Sequence, residues 1–257
     1  MLVKENQDNI LILKLTDGRT NAIDLNTLRQ LDKAVQEVND DPALKGLVLT
    51  GEGRFFSSGF SLPMFINFTT REEVIDFFTE QENILVNFFT CTKPVVTAMN
   101  GHSAAMGMIL AMASDYRIVK NHPKIKLGMS EIKIGLGLSI AQTAVMRFGL
   151  DSDKKYRDVM YFGEMMDVNR ARELQIVDEV VEEENLLSRA GEIISLWIDT
   201  PNRPFIQIKH MLKKDTAEKI RQELQQEDWK SGMCDTLLNP EVRATLEFVQ
   251  AAMEGKK

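Results

Sequence analysis

Asn100-Gly101-His102-Ser103-Ala104-Ala105-Met106-Gly107-Met108-Ile109-Leu110-Ala111-Met112, followed after a short interval by Met129-Ser130-Glu131, decides how the rest of the chain is read. A turn of small residues runs straight into an apolar helical segment, so the first N–H groups of that helix have no partner within it. Free amides backed by the positive end of a helix dipole suit a developing negative charge. A single carboxylate, Glu131, then arrives on a short segment between apolar neighbours. An anion-stabilising turn beside one acid/base group predicts chemistry at a carbon next to a carbonyl.

Upstream, Ile10-Leu11-Ile12-Leu13-Lys14-Leu15 predicts a strand that ends at the turn pair Asp17-Gly18. Leu25, Leu28, Leu31, Val35 and Val38 recur at helical spacing. Gly46-Leu47-Val48-Leu49-Thr50 reads as a buried strand, stopped by Gly51-Glu52-Gly53. A loop through Phe60 leads to an amphipathic helix over about residues 71–90. Strands are predicted again at residues 94–99 and 116–119. Strand and helix alternate as in parallel β units with crossover helices, an α/β arrangement. Beyond Ser139 helical segments dominate, over residues 141–148, 155–161, 169–175, 183–198 and 216–253, with Ile176-Val177-Asp178-Glu179-Val180-Val181 as a late strand. The expected organisation is an α/β core over residues 1–195 and a helical region over 196–257.

Bulk properties narrow the function. The 257 residues are 44% hydrophobic and 27% charged, with a formal net charge of −7 and no concentrated basic face, which argues against nucleic acid as a partner. Cys91 and Cys234 form no paired motif, and His102, His122 and His210 are scattered without ligand spacing, so no metal is expected. No apolar run approaches the roughly 18 residues of a membrane span. The first residues turn polar before any apolar stretch and do not read as a secretory signal. No membrane partner is expected, and the cytoplasm is the expected location.

Read alone, Phe55-Phe56-Ser57-Ser58-Gly59-Phe60-Ser61-Leu62 is either a connecting loop with hydroxyl-capped turns or a place where ligand meets backbone. Gly51-x-Gly53 is too short for a dinucleotide fingerprint. Glu131 taken singly reads as a solvated charge beside Lys133. Taken together, the stretches resemble the crotonase superfamily, the enoyl-CoA hydratases and isomerases. Residues 56–62 are similar to that family's first oxyanion loop, commonly Phe-Ser-Ala-Gly-x-Asp-Leu. Residues 94–115 are similar to its second signature, a Pro-led strand, Asn-Gly, a small-residue turn and a helix ending at an Asp. Arg19-x-Asn21-Ala22 and the late strand extend the resemblance over roughly residues 10–182.

The resemblance implies a crotonase-like ββα spiral core with a helical C-terminal trimerisation region, assembled as a homotrimer or a dimer of trimers. It implies an acyl-CoA thioester as substrate, with CoA a part of that substrate and no separate cofactor. The oxyanion hole is carried over to the backbone N–H of Phe60 and that of Met106 or Gly107. Met106 stands where the family usually has Gly, so its side chain has to point away from the thioester, and Ser61 stands where the family has Asp. Ser57, Ser58, Gly59, Ser61, Leu62, Ile109 and Ser130 are implied to bind substrate. Lys209, Lys213 and Lys214 read as solvated surface charge or as partners of the CoA 3′-phosphate, and His102 as a turn residue whose ring bonds to local backbone.

Hydratases of the family use two carboxylates. Glu131 matches the later one, whereas the helix position is Ile109. Adding water needs one group to deprotonate water and another to handle the carbon proton, so one role has no owner. Moving a double bond from the 3,4 to the 2,3 position needs one base that removes a proton at C2 and returns it at C4. The pattern is most similar to the single-glutamate Δ3,Δ2-enoyl-CoA isomerases, with Glu131 as catalytic residue. Flanked by Met129, Ile132 and Ile134, that carboxyl is expected to be desolvated and a stronger base than a surface glutamate. The competing expectations are a hydratase, with a loop acid or a lysine in place of the missing helix carboxylate, other crotonase-fold acyl-CoA chemistry, and a non-catalytic acyl-CoA-binding homologue.

Overall fold

The computed structural model describes residues 1–255. β1 (Leu2–Gln7) and β2 (Ile10–Leu15) pair antiparallel, and α1 (Leu25–Asp40) crosses to β3 (Gly46–Gly51), parallel to β2. A unit of strand, short strand and helix then winds three times. β3 is followed by β4 (Phe55–Ser57), the single-turn α2 (Leu62–Ile66) and α3 (Arg71–Phe89). β5 (Val95–Met99) is followed by β6 (His102–Ala104) and α4 (Met106–Ala113), and β7 (Tyr116–Lys120) by β8 (Leu127–Gly128) and α5 (Ile140–Leu150). After α6 (Asp153–Phe162), β9 (Met165–Met166), α7 (Val168–Glu173) and β10 (Glu179–Val181), four helices complete the chain: α8 (Leu186–Ile198), α9 (Phe205–Leu224), α10 (Asp228–Leu237) and α11 (Pro240–Glu254). The first strand of each unit adds to a sheet of order β1-β2-β3-β5-β7-β10. The second adds to a smaller sheet of order β4-β6-β8-β9. This is the expected ββα spiral.

The large sheet is apolar on both faces because both are covered. Leu11, Leu13, Leu47, Leu49 and Val95 face a layer of α1, α3, α4 and α5, while Ile10, Ile12, Val48, Val96 and Ile118 face Ala190, Ile193, Ile194 and Ile198 of α8. α8 therefore belongs to the sheet's own packing and runs past residue 195, the expected boundary. The expected helix over 216–253 is three separate helices. α9 ends at Leu224, and α11 starts afresh where Asn239 accepts from the N–H of Glu241 at 2.8 Å with Pro240 in the first turn. The late strand is shorter than expected, and Ile176 and Val177 are buried in the turn before it.

α9 is held by charge, which corrects the reading of two lysines. Lys209 and Lys213 are buried and meet the buried Asp115 at 2.5 and 2.8 Å. Lys209 also donates to the carbonyl of Lys93 at 2.8 Å, and Lys213 to that of Ala113 at 2.9 Å with the Phe89 ring 4.4 Å from its ammonium. Burial alone raises the Asp115 carboxyl, but the two ammonium groups outweigh it and hold it below the usual range. Burial draws Lys213 down to about 8. Neither lysine is a surface charge or free for a phosphate; Lys214 alone of the three is partly exposed. Among the described residues no helix is long and apolar enough to cross a membrane, and no cluster of His, Cys, Asp or Glu is arranged to hold a metal.

Candidate active site

The first loop is fixed from below by Asn21. Its buried side chain donates to the carbonyls of Glu52 and Phe55 at 2.9 and 2.7 Å, and its own carbonyl accepts from Ser57 Oγ at 2.7 Å. Ile23 N–H donates to Gly59 O at 2.8 Å, and Ser61 N–H to Ile23 O at 3.0 Å. Successive peptide groups of an extended chain point to opposite sides, so with Gly59 and Ser61 turned toward Ile23 the N–H of Phe60 faces the other way. It donates to no group among the described residues.

The second donor comes from the small-residue turn. Ala105 adopts φ 52° and ψ −126°, a region that residues with a Cβ seldom occupy. It directs the chain into α4, whose first residue is Met106, so that N–H also lacks an intrahelical acceptor. Gly59 brings the two donors together: with φ +100°, a Cβ there would lie 2.4 Å from Ala105 Cβ and 3.2 Å from the Met106 nitrogen. Gly107 is also tightly packed, since a Cβ on it would lie 2.9 Å from Ser57 Cβ. Gly59→Ala is therefore expected to push the two turns apart. We expect it to lower turnover by about 10²- to 10³-fold, the size of losing one oxyanion donor, with the fold retained by circular dichroism; unchanged turnover would separate this turn from the chemistry.

Glu131 opens a 3₁₀ turn (Glu131–Ile134) directly after β8 and is only 9% exposed. Its Oε2 has no hydrogen-bond partner among the described residues. Burial pushes the carboxyl up to about 7, offset only in part by the N–H groups of Glu131 and Ser130. The solvated reading of this residue is thus overturned, and no lysine among the described residues pairs with it. Met129 is buried as expected, but Ile132 points outward at 52% exposure.

These groups border a cavity of about 850 Å³. Phe60, Met106, Ile109 and Glu131 line it, together with Ser58, Ser61, Leu62 and Ser130. Ser57, Gly59 and Gly107, expected at the ligand or the oxyanion hole, lie behind this wall and shape it. Met106 is packed in the main core and still borders the cavity, which stays open. His102 accepts from the N–H of Lys126 at 3.1 Å and takes no place in the lining. Trp229, Met233 and Leu237 of α10 and Val249 and Met253 of α11 form the roof. Sequence reasoning missed these, because their apolar stripe carries no mark separating a cavity lining from core.

Among the described residues, the titratable ones in the lining are Asp17, Arg19 and Glu131. Both oxygens of Asp17 are engaged by the N–H groups of Arg19, Thr20, Asn21 and Ala22 at 2.5 to 3.0 Å. Burial raises that carboxyl, but the four amides together hold it below its usual range. Glu131 is left as the lining carboxyl able to take a proton near neutrality, in the cavity that Phe60 and Met106 also line. The arrangement can hold an oxyanion and move a proton beside it.

A ββα spiral that presents paired amides and one buried acid between its turns defines the crotonase class of α/β protein. The sequence model for enoyl-CoA hydratase/isomerase matches residues 5–240, and the chain belongs to that family, which binds acyl-CoA thioesters. It is similar to the mitochondrial enoyl-CoA delta isomerase 1 of Mus musculus, at 24% identity over 217 residues, 84% of this chain and 74% of that one. It is also similar to the crotonyl-CoA hydratase of Syntrophomonas wolfei, at 27% identity over 201 residues, 76% of this chain and 75% of that one. The crystal structure of human mitochondrial delta3-delta2-enoyl-CoA isomerase superposes with a TM-score of 0.89 at 20% identity, over 100% of this chain and 99% of that one.

Proposed function

We propose that this chain is a Δ3,Δ2-enoyl-CoA isomerase. The observation that carries the reading is that Glu131 is the lining carboxyl with an open oxygen, while the helix position facing the cavity is the apolar, buried Ile109. The Glu131 carboxylate takes a proton from C2 of a 3-enoyl thioester. The electron pair moves through C2 to the thioester oxygen, which the N–H groups of Phe60 and Met106 hold as a dienolate oxyanion. Glu131 then returns the proton at C4 as the double bond settles between C2 and C3, so no atom is gained or lost. Each amide contributes roughly 3 kcal/mol to the transition state, and the apolar roof keeps out the water that would quench the dienolate.

The same reading places the enzyme in the cytoplasm as a homotrimer or a dimer of trimers. Residues 196–257 contribute to the assembly through the exposed Leu196, Ile208, Met211 and Leu212. A panel of 3-enoyl- and 2-enoyl-CoA esters tests the chemistry by product mass and double-bond position. An isomerase yields product of unchanged mass with the double bond moved. A product heavier by one water from a 2-enoyl ester would instead make the chain a hydratase. Binding without C2 proton exchange in deuterated solvent would make it a carrier.

A further inference from the structure

A second carboxylate stands behind the cavity wall. Glu82 of α3 is fully buried, and no lysine or arginine among the described residues pairs with it. Its Oε1 accepts from Ser139 Oγ and Gln81 Nε2, and its Oε2 from the N–H of Ala141 at 2.6 Å. Gln142 closes the ring, accepting from Ser139 N–H at 3.1 Å and donating to Gln81 Oε1 at 3.2 Å. Burying a carboxyl without a cation is unfavourable. Glu82 also caps α5, because the first-turn N–H of Ala141 has no acceptor within the helix and Gln142 satisfies only the N–H of Ser139.

What Glu82 adds is an anchor for the segment that carries the base. Residues 129–139 run from β8 to the start of α5. One end is pinned where Gly128 pairs with Ala104 and Met165, and the other where Ser139 and Ala141 meet Glu82. Between the ends lie Gly135, with φ +74°, and Gly137. The bonds from Lys133 N–H to Ser130 and from Leu136 N–H to Glu131 tie the turn to itself. Ser130, Glu131, Ile134, Leu136 and Ser139 all line the cavity.

We propose that Glu82 is a positioning residue, which acts by clamping Ser139 and Ala141 so that the segment between β8 and α5 holds Glu131 at the reacting carbons. This rests on the isomerase reading for its kinetic part. Among the described residues, the other charged groups bordering the cavity, Asp17 and Arg19, lie on the loop after β2, and neither touches Glu82.

Glu82→Ala and Glu82→Gln test it in the full chain by two readouts: steady-state kinetics on a 3-enoyl-CoA, and the titration of the Glu131 carboxyl in ligand-free protein by carbon-13 NMR. Glu82→Ala is expected to lower kcat by about 30- to 100-fold, as a misplaced reacting group of about 1 Å does. KM is expected to stay within about threefold. The Glu131 midpoint is expected to fall by about one pH unit as water reaches the loosened turn. Glu82→Gln keeps an oxygen for Ala141 N–H and should lie between Glu82→Ala and wild type. A folded Glu82→Ala protein with kcat within about twofold of wild type and an unmoved Glu131 midpoint overturns the proposal. So does a loss expressed only in KM. If Glu82→Ala does not fold, Glu82→Gln decides by the same readouts. Wild type inactive on every 3-enoyl ester would sink the isomerase reading, while the ligand-free titration still tests the coupling of Glu82 to Glu131.

Discussion

Glu131→Gln is expected to lower isomerisation by about 10⁴-fold, the upper end of what a positioned acid/base group contributes, while binding of the CoA ester persists. In wild type the base works only as carboxylate, so kcat/KM should fall tenfold per pH unit below a midpoint of about 7. The same substitution should change stability in a pH-dependent way. Between pH 4.5 and about 7 the unfolded chain carries a carboxylate here and the folded chain an acid, so folding takes up a proton. Stability due to this residue is complete below pH 4.5, is lost as pH rises, and is gone above about 7. Each pH unit between the unfolded and folded midpoints is worth about 1.4 kcal/mol, which makes the loss about 3 kcal/mol. Urea unfolding of both proteins at pH 5 and pH 8 isolates it: relative to wild type, Glu131→Gln should gain about 2–3 kcal/mol on going to pH 8. Near-normal turnover would remove Glu131 from the reaction, and a pH-independent difference would mean that its carboxyl is not penalised by burial.

Asp115→Asn is expected to destabilise the fold by about 3–5 kcal/mol, because two buried ammonium groups lose the one carboxylate that balances them. The remaining charge has an escape. With the Lys213 ammonium held below the ordinary lysine value of 10.5, folding of the variant releases a proton there, so its stability rises with pH from the lowered value up to 10.5. Denaturant unfolding at pH 7 and pH 9.5 should therefore show the deficit shrinking at the higher pH. A deficit below about 1 kcal/mol at pH 7 would mean that α9 is held by its apolar contacts rather than by this cluster.

Much of the fold is readable because its main elements carry one unmistakable period. β2, β3 and β5 are apolar on both faces, and α1 and α3 each bury a stripe, so each declares itself locally. β4, β6, β8 and β9 span two or three residues, too few for any period to register. β1 is missed because five of its six residues are exposed. The break before α11 was legible in Asn239-Pro240, a cap followed by a first-turn proline. The end of α9 at Gln225-Gln226-Glu227 has no such signal. The site divides in the same way. Phe60, Met106 and Glu131 sit in local signatures, whereas the status of Glu131 as a buried acid depends on partners far along the chain. Lys209 and Lys213 look like surface residues until Asp115, about ninety residues earlier, is placed between them.

The borders of the large sheet bear on how copies of the chain can meet. On one flank β1 shows Lys4, Glu5 and Asn6 to solvent, and on the other β10 is three residues long, with Glu179 clasped by Arg189 at 2.8 Å. Charged, short margins resist the docking of a foreign strand. Such margins leave the exposed Leu196 of α8 and Ile208, Met211 and Leu212 of α9 as the apolar surface on which the trimer proposed above would close, a countable assembly rather than an open-ended ribbon.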